Sequence, residues 1–177
     1  MSAESDQHAP GADATFAHAE VQSETGSTSA AAARWAIVTA RFNGEITDAL
    51  FRGAVQTLID AGAKAEHIKA VTVPGAVELP LAARELAETR HYAGIVALGC
   101  VIRGETSHYD YVCGAATDGI MRVQQDFGVP VGFGLVTCEN VEQARARAQS
   151  GDGRNVGSDA ARAAVELAGL VRSIRSS

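Results

Sequence analysis

Four short apolar runs, each followed by a longer segment of helical periodicity, constrain this chain more than any other feature. The runs occupy residues 35–40 (WAIVTA), 68–73 (IKAVTV), 94–102 (GIVALGCVI) and 130–137 (PVGFGLVT). A run that is apolar at nearly every position has no face to offer water, so it must be covered on both sides. The intervening segments supply the cover. Residues 45–60 place Ile46, Ala49, Leu50, Gly53, Ala54 and Leu58 on one helical stripe. Residues 76–89 and 108–127 read as further helices, with Pro80 tolerated in the first turns of the former. Asn140 is placed to cap a short helix through Ala148, and Ser158-Asp159 to cap a last helix ending near Arg175. Gly62 and Gly128 stand where helix C-termini favour glycine. The pattern predicts an α/β fold: a three-layer sandwich with a central, mainly four-stranded parallel sheet and helices on both faces.

Residues 1–33 show no apolar period and are rich in Ala, Ser, Thr, Gly and Glu. They are expected to form a mostly disordered arm, with residues 34–177 forming a single domain. At 177 residues the chain is long enough for one substantial core. The net charge of −6, with scattered basic residues, argues against a nucleic-acid groove. No apolar stretch reaches the ~20 residues of a membrane span. The acidic, polar N-terminus lacks the plan of a secretory signal. Cys100, Cys113 and Cys138 are odd in number and form no C-x-x-C, which indicates neither a disulfide framework nor a metal site. A cytoplasmic protein with reduced thiols is the expectation.

In parallel sheets of this kind ligands bind beyond the carboxyl ends of the strands. Those ends carry Arg41-Phe42-Asn43, Pro74-Gly75-Ala76, Arg103-Gly104-Glu105 and Thr137-Cys138-Glu139, so the unusual residues gather on one rim. The segment Arg103-Gly104-Glu105-Thr106 leads from an apolar run into a helix. The free N–H groups of such a turn and the helix dipole suit an anion. It is not a nucleotide P-loop. His108 opens that helix, and an imidazole with its ordinary pKa near ~6.5 suits proton transfer at neutral pH. His8, His18, His67 and His91 lie in the arm or in linkers and carry no such context. Phe42 suits stacking on a flat heterocycle or packing under the next helix. Glu78 suits binding hydroxyl groups or starting a helix. Arg147 suits a phosphate clamp or a helix C-terminus.

Several of these segments together resemble the lumazine synthase family of riboflavin biosynthesis. They are Ala40-Arg-Phe-Asn43, Val73-Pro-Gly-Ala-Val-Glu-Leu-Pro80, residues 99–112 (GCVIRGETSHYDYV), residues 130–140 (PVGFGLVTCEN), Gln143-Ala-Arg-Ala-Arg147 and Gly157-Ser-Asp-Ala-Ala161. The resemblance runs from Trp35 into the last helix. It implies a flavodoxin-like sandwich and the condensation of 5-amino-6-(D-ribitylamino)uracil with 3,4-dihydroxy-2-butanone 4-phosphate. The product is 6,7-dimethyl-8-ribityllumazine, with phosphate and water released. Phe42 is implied to stack on the pyrimidine, with Ala76, Val77 and Glu78 holding the ring and ribityl chain. Backbone groups of Cys100, Val101 and Ile102 are likewise implied to face the pyrimidine edge. By the same resemblance Glu105 and Thr106, with Arg147, are implied to seat the phosphate, His108 to shuttle protons, and Phe133 to line the pocket from a neighbouring subunit. No cofactor and no metal is implied. The partners are the two small-molecule substrates and other copies of the chain, in a homopentamer or an assembly of pentamers, with part of the arm adding a strand to the next subunit. Two departures stand out. Val156 occupies the place of the family's loop lysine, with Arg154 the nearest replacement, and Val77 occupies that of an aromatic. They support an alternative: a weakly catalytic flavin- or lumazine-binding or shell-forming paralogue.

Overall fold

The computed structural model describes residues 29–31, 33–151 and 153–177; residues 1–28, most of the expected arm, lie outside it. The four apolar runs form strands β1 (Trp35–Ala40), β2 (Ile68–Val73), β3 (Gly94–Ile102) and β4 (Val131–Cys138). All pairings are parallel, in the order β2-β1-β3-β4. Five helices accompany them: α1 (Gly44–Asp60), α2 (Leu79–Glu88), α3 (His108–Phe127), α4 (Val141–Arg145) and α5 (Val156–Ser176). The expected α/β sandwich is the one observed.

The central strands are sealed by layers of opposite side chains. Every residue of β1 is buried. Trp35 and Ile37 join Val96, Leu98 and Val136 in one core that receives Leu50, Leu58, Ala161 and Val165 from α1 and α5. Ala36 and Val38 join Ile95, Ala97 and Leu135 in the other, which receives Leu79, Ala83, Ile120 and Val123 from α2 and α3. Alternation along each strand thus divides the apolar residues between two cores. The chain already packs at Ala30, which is buried. It donates its N–H to the Ala61 carbonyl at 2.8 Å and accepts from Trp35 Nε1 at 3.4 Å.

Three boundaries differ from the reading of the sequence. Residues 76–89 are not one helix: Ala76–Glu78 form a 3-10 turn, and α2 proper starts at Leu79 with Pro80 in its first turn. The helix capped by Asn140 ends at Arg145 rather than Ala148; its cap is as expected, Asn140 Oδ1 accepting from Gln143 N. Helix α5 begins before Ser158-Asp159 because Asn155 caps it, accepting from Ser158 N at 3.1 Å. The Asn155 amide also donates to the carbonyls of Ala49 and Gln149 at 3.1 and 3.0 Å. That side chain therefore joins α1, the preceding loop and α5. Helix α5 lies close enough to its neighbours that glycine is required twice. A Cβ on Gly157 would stand 2.1 Å from the Leu50 carbonyl oxygen, and one on Gly132 2.1 Å from that of Ala160.

Candidate active site

Winding reverses between β1 and β3, since β2 lies on one side of β1 and β3 with β4 on the other. Diverging connections leave a crevice at such a switch point. The crevice is occupied here by a cavity of about 350 Å³. Asn43 braces the chain beside it, next to the lining residue Phe42. It takes a left-handed conformation (φ 58°) at the N-cap of α1, and its amide donates to the Cys100 carbonyl at 2.9 Å. This bond ties the end of β1 to the end of β3 across the switch.

Four segments wall the cavity. Phe42, 71% exposed, comes from the β1–α1 turn. Gly75, Ala76, Val77 and Glu78 come from the β2–α2 connection. Glu78 Oε2 accepts from the Gly75 N–H at 2.8 Å, so its carboxylate also stabilises the start of the 3-10 turn. Cys100, Val101 and Ile102 end β3. Gly104 and Thr106 of the next turn, with His108, Tyr109 and Val112 of α3, complete the wall. Nine residues singled out in the sequence therefore meet in one place: Phe42, Ala76, Val77, Glu78, Cys100, Val101, Ile102, Thr106 and His108.

Three others lie outside this lining. Glu105 is exposed in the turn. Phe133 pairs in register with Ala97 on the edge strand β4 and is 39% exposed. Arg147 donates to the Gln143 carbonyl at 2.9 Å, one helical turn back. Arg154 borders a separate groove between α1 and α5, and Val156 packs on the core while its N–H donates to the Arg147 carbonyl at 2.9 Å. Gly104 belongs to the turn read as an anion seat, whereas Tyr109, Val112, Gly75 and the Asn43 strut were not singled out as site residues. Of these, Asn43 carried a signal, as a residue tolerant of left-handed backbone at the turn that follows an apolar run, three positions past Ala40.

The electrostatics of the rim centre on Arg103. Its guanidinium bonds both carboxylate oxygens of Asp110, at 3.0 and 3.3 Å, and Glu139 at 3.1 Å. It also lies 4.0 Å from the centre of the Tyr109 ring. The two carboxylates hold the Arg103 pKa above its ordinary value. A second pair, Glu45 with Arg145 at 3.2 Å, holds the Glu45 carboxyl below its usual range. Burial pushes the Cys100 thiol up to about 12, with the nearby Cys138 adding to the effect. A neutral thiol is a poor nucleophile, so the Cys100 sulfur is ill suited to covalent chemistry near neutral pH. Among the described residues no group of His, Cys, Asp and Glu could hold a metal ion, and no helix is long and apolar enough to cross a membrane.

A mostly apolar cavity at the switch point, with a few convergent polar groups, is the usual ligand site of such sheets, so fold and cavity define an open α/β enzyme acting on a small molecule. The family model described as 6,7-dimethyl-8-ribityllumazine synthase matches residues 32–172. The chain belongs to that family, whose members are transferases of riboflavin biosynthesis.

Proposed function

We propose that this chain condenses 5-amino-6-(D-ribitylamino)uracil with 3,4-dihydroxy-2-butanone 4-phosphate. The convergence of Phe42, the Gly104–Thr106 turn and His108 on one cavity carries this reading within the family. An exposed aromatic face suits the flat pyrimidine. Peptide N–H groups at the start of α3 suit the phosphate. The substrate amine adds to the ketone and water leaves, forming an imine. Loss of a proton and departure of phosphate follow, and the ring closes with loss of a second water. His108 is the group at the cavity that carries protons between these steps. Holding two reactants together supplies much of the acceleration.

Arg147 takes part by exchanging the Gln143 carbonyl for phosphate oxygens, a stronger, charge-assisted bond. Phe133, exposed on edge strand β4, lines the pocket of the next subunit in a homopentamer. The three cysteines are free, which supports a reducing, cytoplasmic setting.

Purified protein supplied with both substrates should form product, read by lumazine fluorescence. A folded protein that binds the pyrimidine but forms no lumazine would remove this reading. It would favour the binding or shell-forming paralogue, which the apolar packing of Val156 supports. Sedimentation should give five times the mass of one chain or a multiple of that; a monomer would exclude the shared pocket.

A further inference from the structure

Four lining residues of the cavity, Gly104, Thr106, His108 and Tyr109, come from the stretch between Arg103 and Asp110. Apart from the Tyr109 hydroxyl, which meets the side chains of Thr137 on β4 and Cys113 one turn on, few bonds of its own hold that stretch. Ser107, the N-cap of α3, makes no side-chain capping bond. The Thr106 hydroxyl reaches the His108 N–H only at 3.4 Å, and Asp110 N donates to the Ser107 carbonyl at 3.0 Å. Asp110 stands three residues after the cap, where an acidic side chain often turns back on the cap. Here it turns to Arg103 instead, through a two-pronged bond.

Arg103 is well placed to act as the anchor. Its N–H donates to the Cys138 carbonyl at 2.8 Å, which seats it at the sheet end. Its Nε bonds Glu139, just beyond β4, and its Cζ lies over the Tyr109 ring, 4.0 Å from the centre. One guanidinium thus joins the end of β3, the first turn of α3 and the residue after β4. We propose that Arg103 is a positioning residue, clasping both ends of this segment so that the turn and His108 keep the geometry required for turnover. The inference rests on the function proposed above. Exposed ion pairs contribute little to global stability. The clasp therefore acts on placement, where a displacement of about 1 Å can cost ~10²-fold in rate.

The test is steady-state kinetics of R103A, R103K and the triple variant R103A/D110N/E139Q. R103A should melt within about 2–4 °C of the unsubstituted protein. Its kcat/KM for the ketone phosphate should fall by about tenfold to a hundredfold. Affinity for the pyrimidine, held mainly by Phe42 and Val77, should stay within about twofold. R103K should be intermediate, since lysine is a point charge that neither forks nor stacks. The triple variant removes both uncompensated carboxylates along with the guanidinium, and it should remain impaired. Its recovery would show that charge compensation alone mattered and would overturn the proposal, as would unchanged kinetics in folded R103A. Should R103A not fold, D110N decides: a smaller loss toward the same substrate supports the clasp, and unchanged kinetics overturns it. If the unsubstituted protein forms no lumazine, the functional reading fails separately. Affinity for inorganic phosphate then tests the clasp: a loss of about tenfold in R103A supports it, and equal affinities refute it.

Discussion

His108 and Asn43 show two ways a single residue serves this site. His108 is exposed at the first position of α3, on the wall of the cavity. H108A should lower kcat by about 10²-fold or more, as for other positioned proton carriers, while pyrimidine affinity measured by titration stays near that of the unsubstituted protein. Collapse of binding would make the residue structural. Asn43 works through the backbone: it accepts a left-handed conformation and bonds the Cys100 carbonyl. N43A loses both features and should destabilise the fold by about 2 kcal/mol in urea unfolding. N43G keeps the conformation and loses only the bond, at about 1 kcal/mol. Equal losses would show that the conformation is not strained for alanine. His108 and Phe42 were readable from sequence because each directly follows a break in an apolar run. Tyr109 and Val112 were not, because aromatic and apolar residues inside a helix look alike whether they face a core or a cavity.

Elements are set by local signals where those signals are unambiguous. The four strands and α3 lie within a residue of where the pattern places them. The start of α5 does not, and the reason is physical. Ser158-Asp159 is a good cap by composition, but Asn155 is held by carbonyls from Ala49 and Gln149, so it caps three residues earlier. The Ala49 partner is far away in sequence. The contact of α5 with α1 also depends on Gly157 beside the Leu50 carbonyl. A methyl group there has backbone in its way. G157A should lower stability by about 1–3 kcal/mol, the usual cost of overpacking, seen as a lower urea midpoint with little change in slope. An unchanged midpoint would mean that the two helices can part without cost.

For the whole molecule, the buried thiols make an alkaline limit. The Cys100 thiol ionises at about 12 in the fold against an ordinary 9.0, because burial disfavours the thiolate. The folded state therefore holds this proton more tightly than the unfolded state. The resulting stability is complete below about pH 9 and is lost as the pH rises from there through about 12. Urea midpoints measured from pH 8 to 11 test this. The advantage of the unsubstituted protein over C100A should be constant near pH 8 and shrink above 9. A constant difference throughout would place the ionisation elsewhere.

Periodicity and turn residues are properties of neighbours in the chain, so the amino-acid order alone was enough for the alternating elements, the two-faced sandwich and the rim on which chemistry gathers. Phe42, Glu78, Thr106 and His108, which line the cavity, were legible from their places beside strand ends and helix starts, whereas Ala76, Val77, Cys100, Val101 and Ile102 rested on the resemblance to the family. The order β2-β1-β3-β4, the Asn43 strut spanning 57 residues, the Asn155 junction spanning 106, and the Arg103 clasp on Glu139 all waited on folding. Each joins groups that are distant in sequence and meet only once strand register and helix packing are set. No local pattern carries that information.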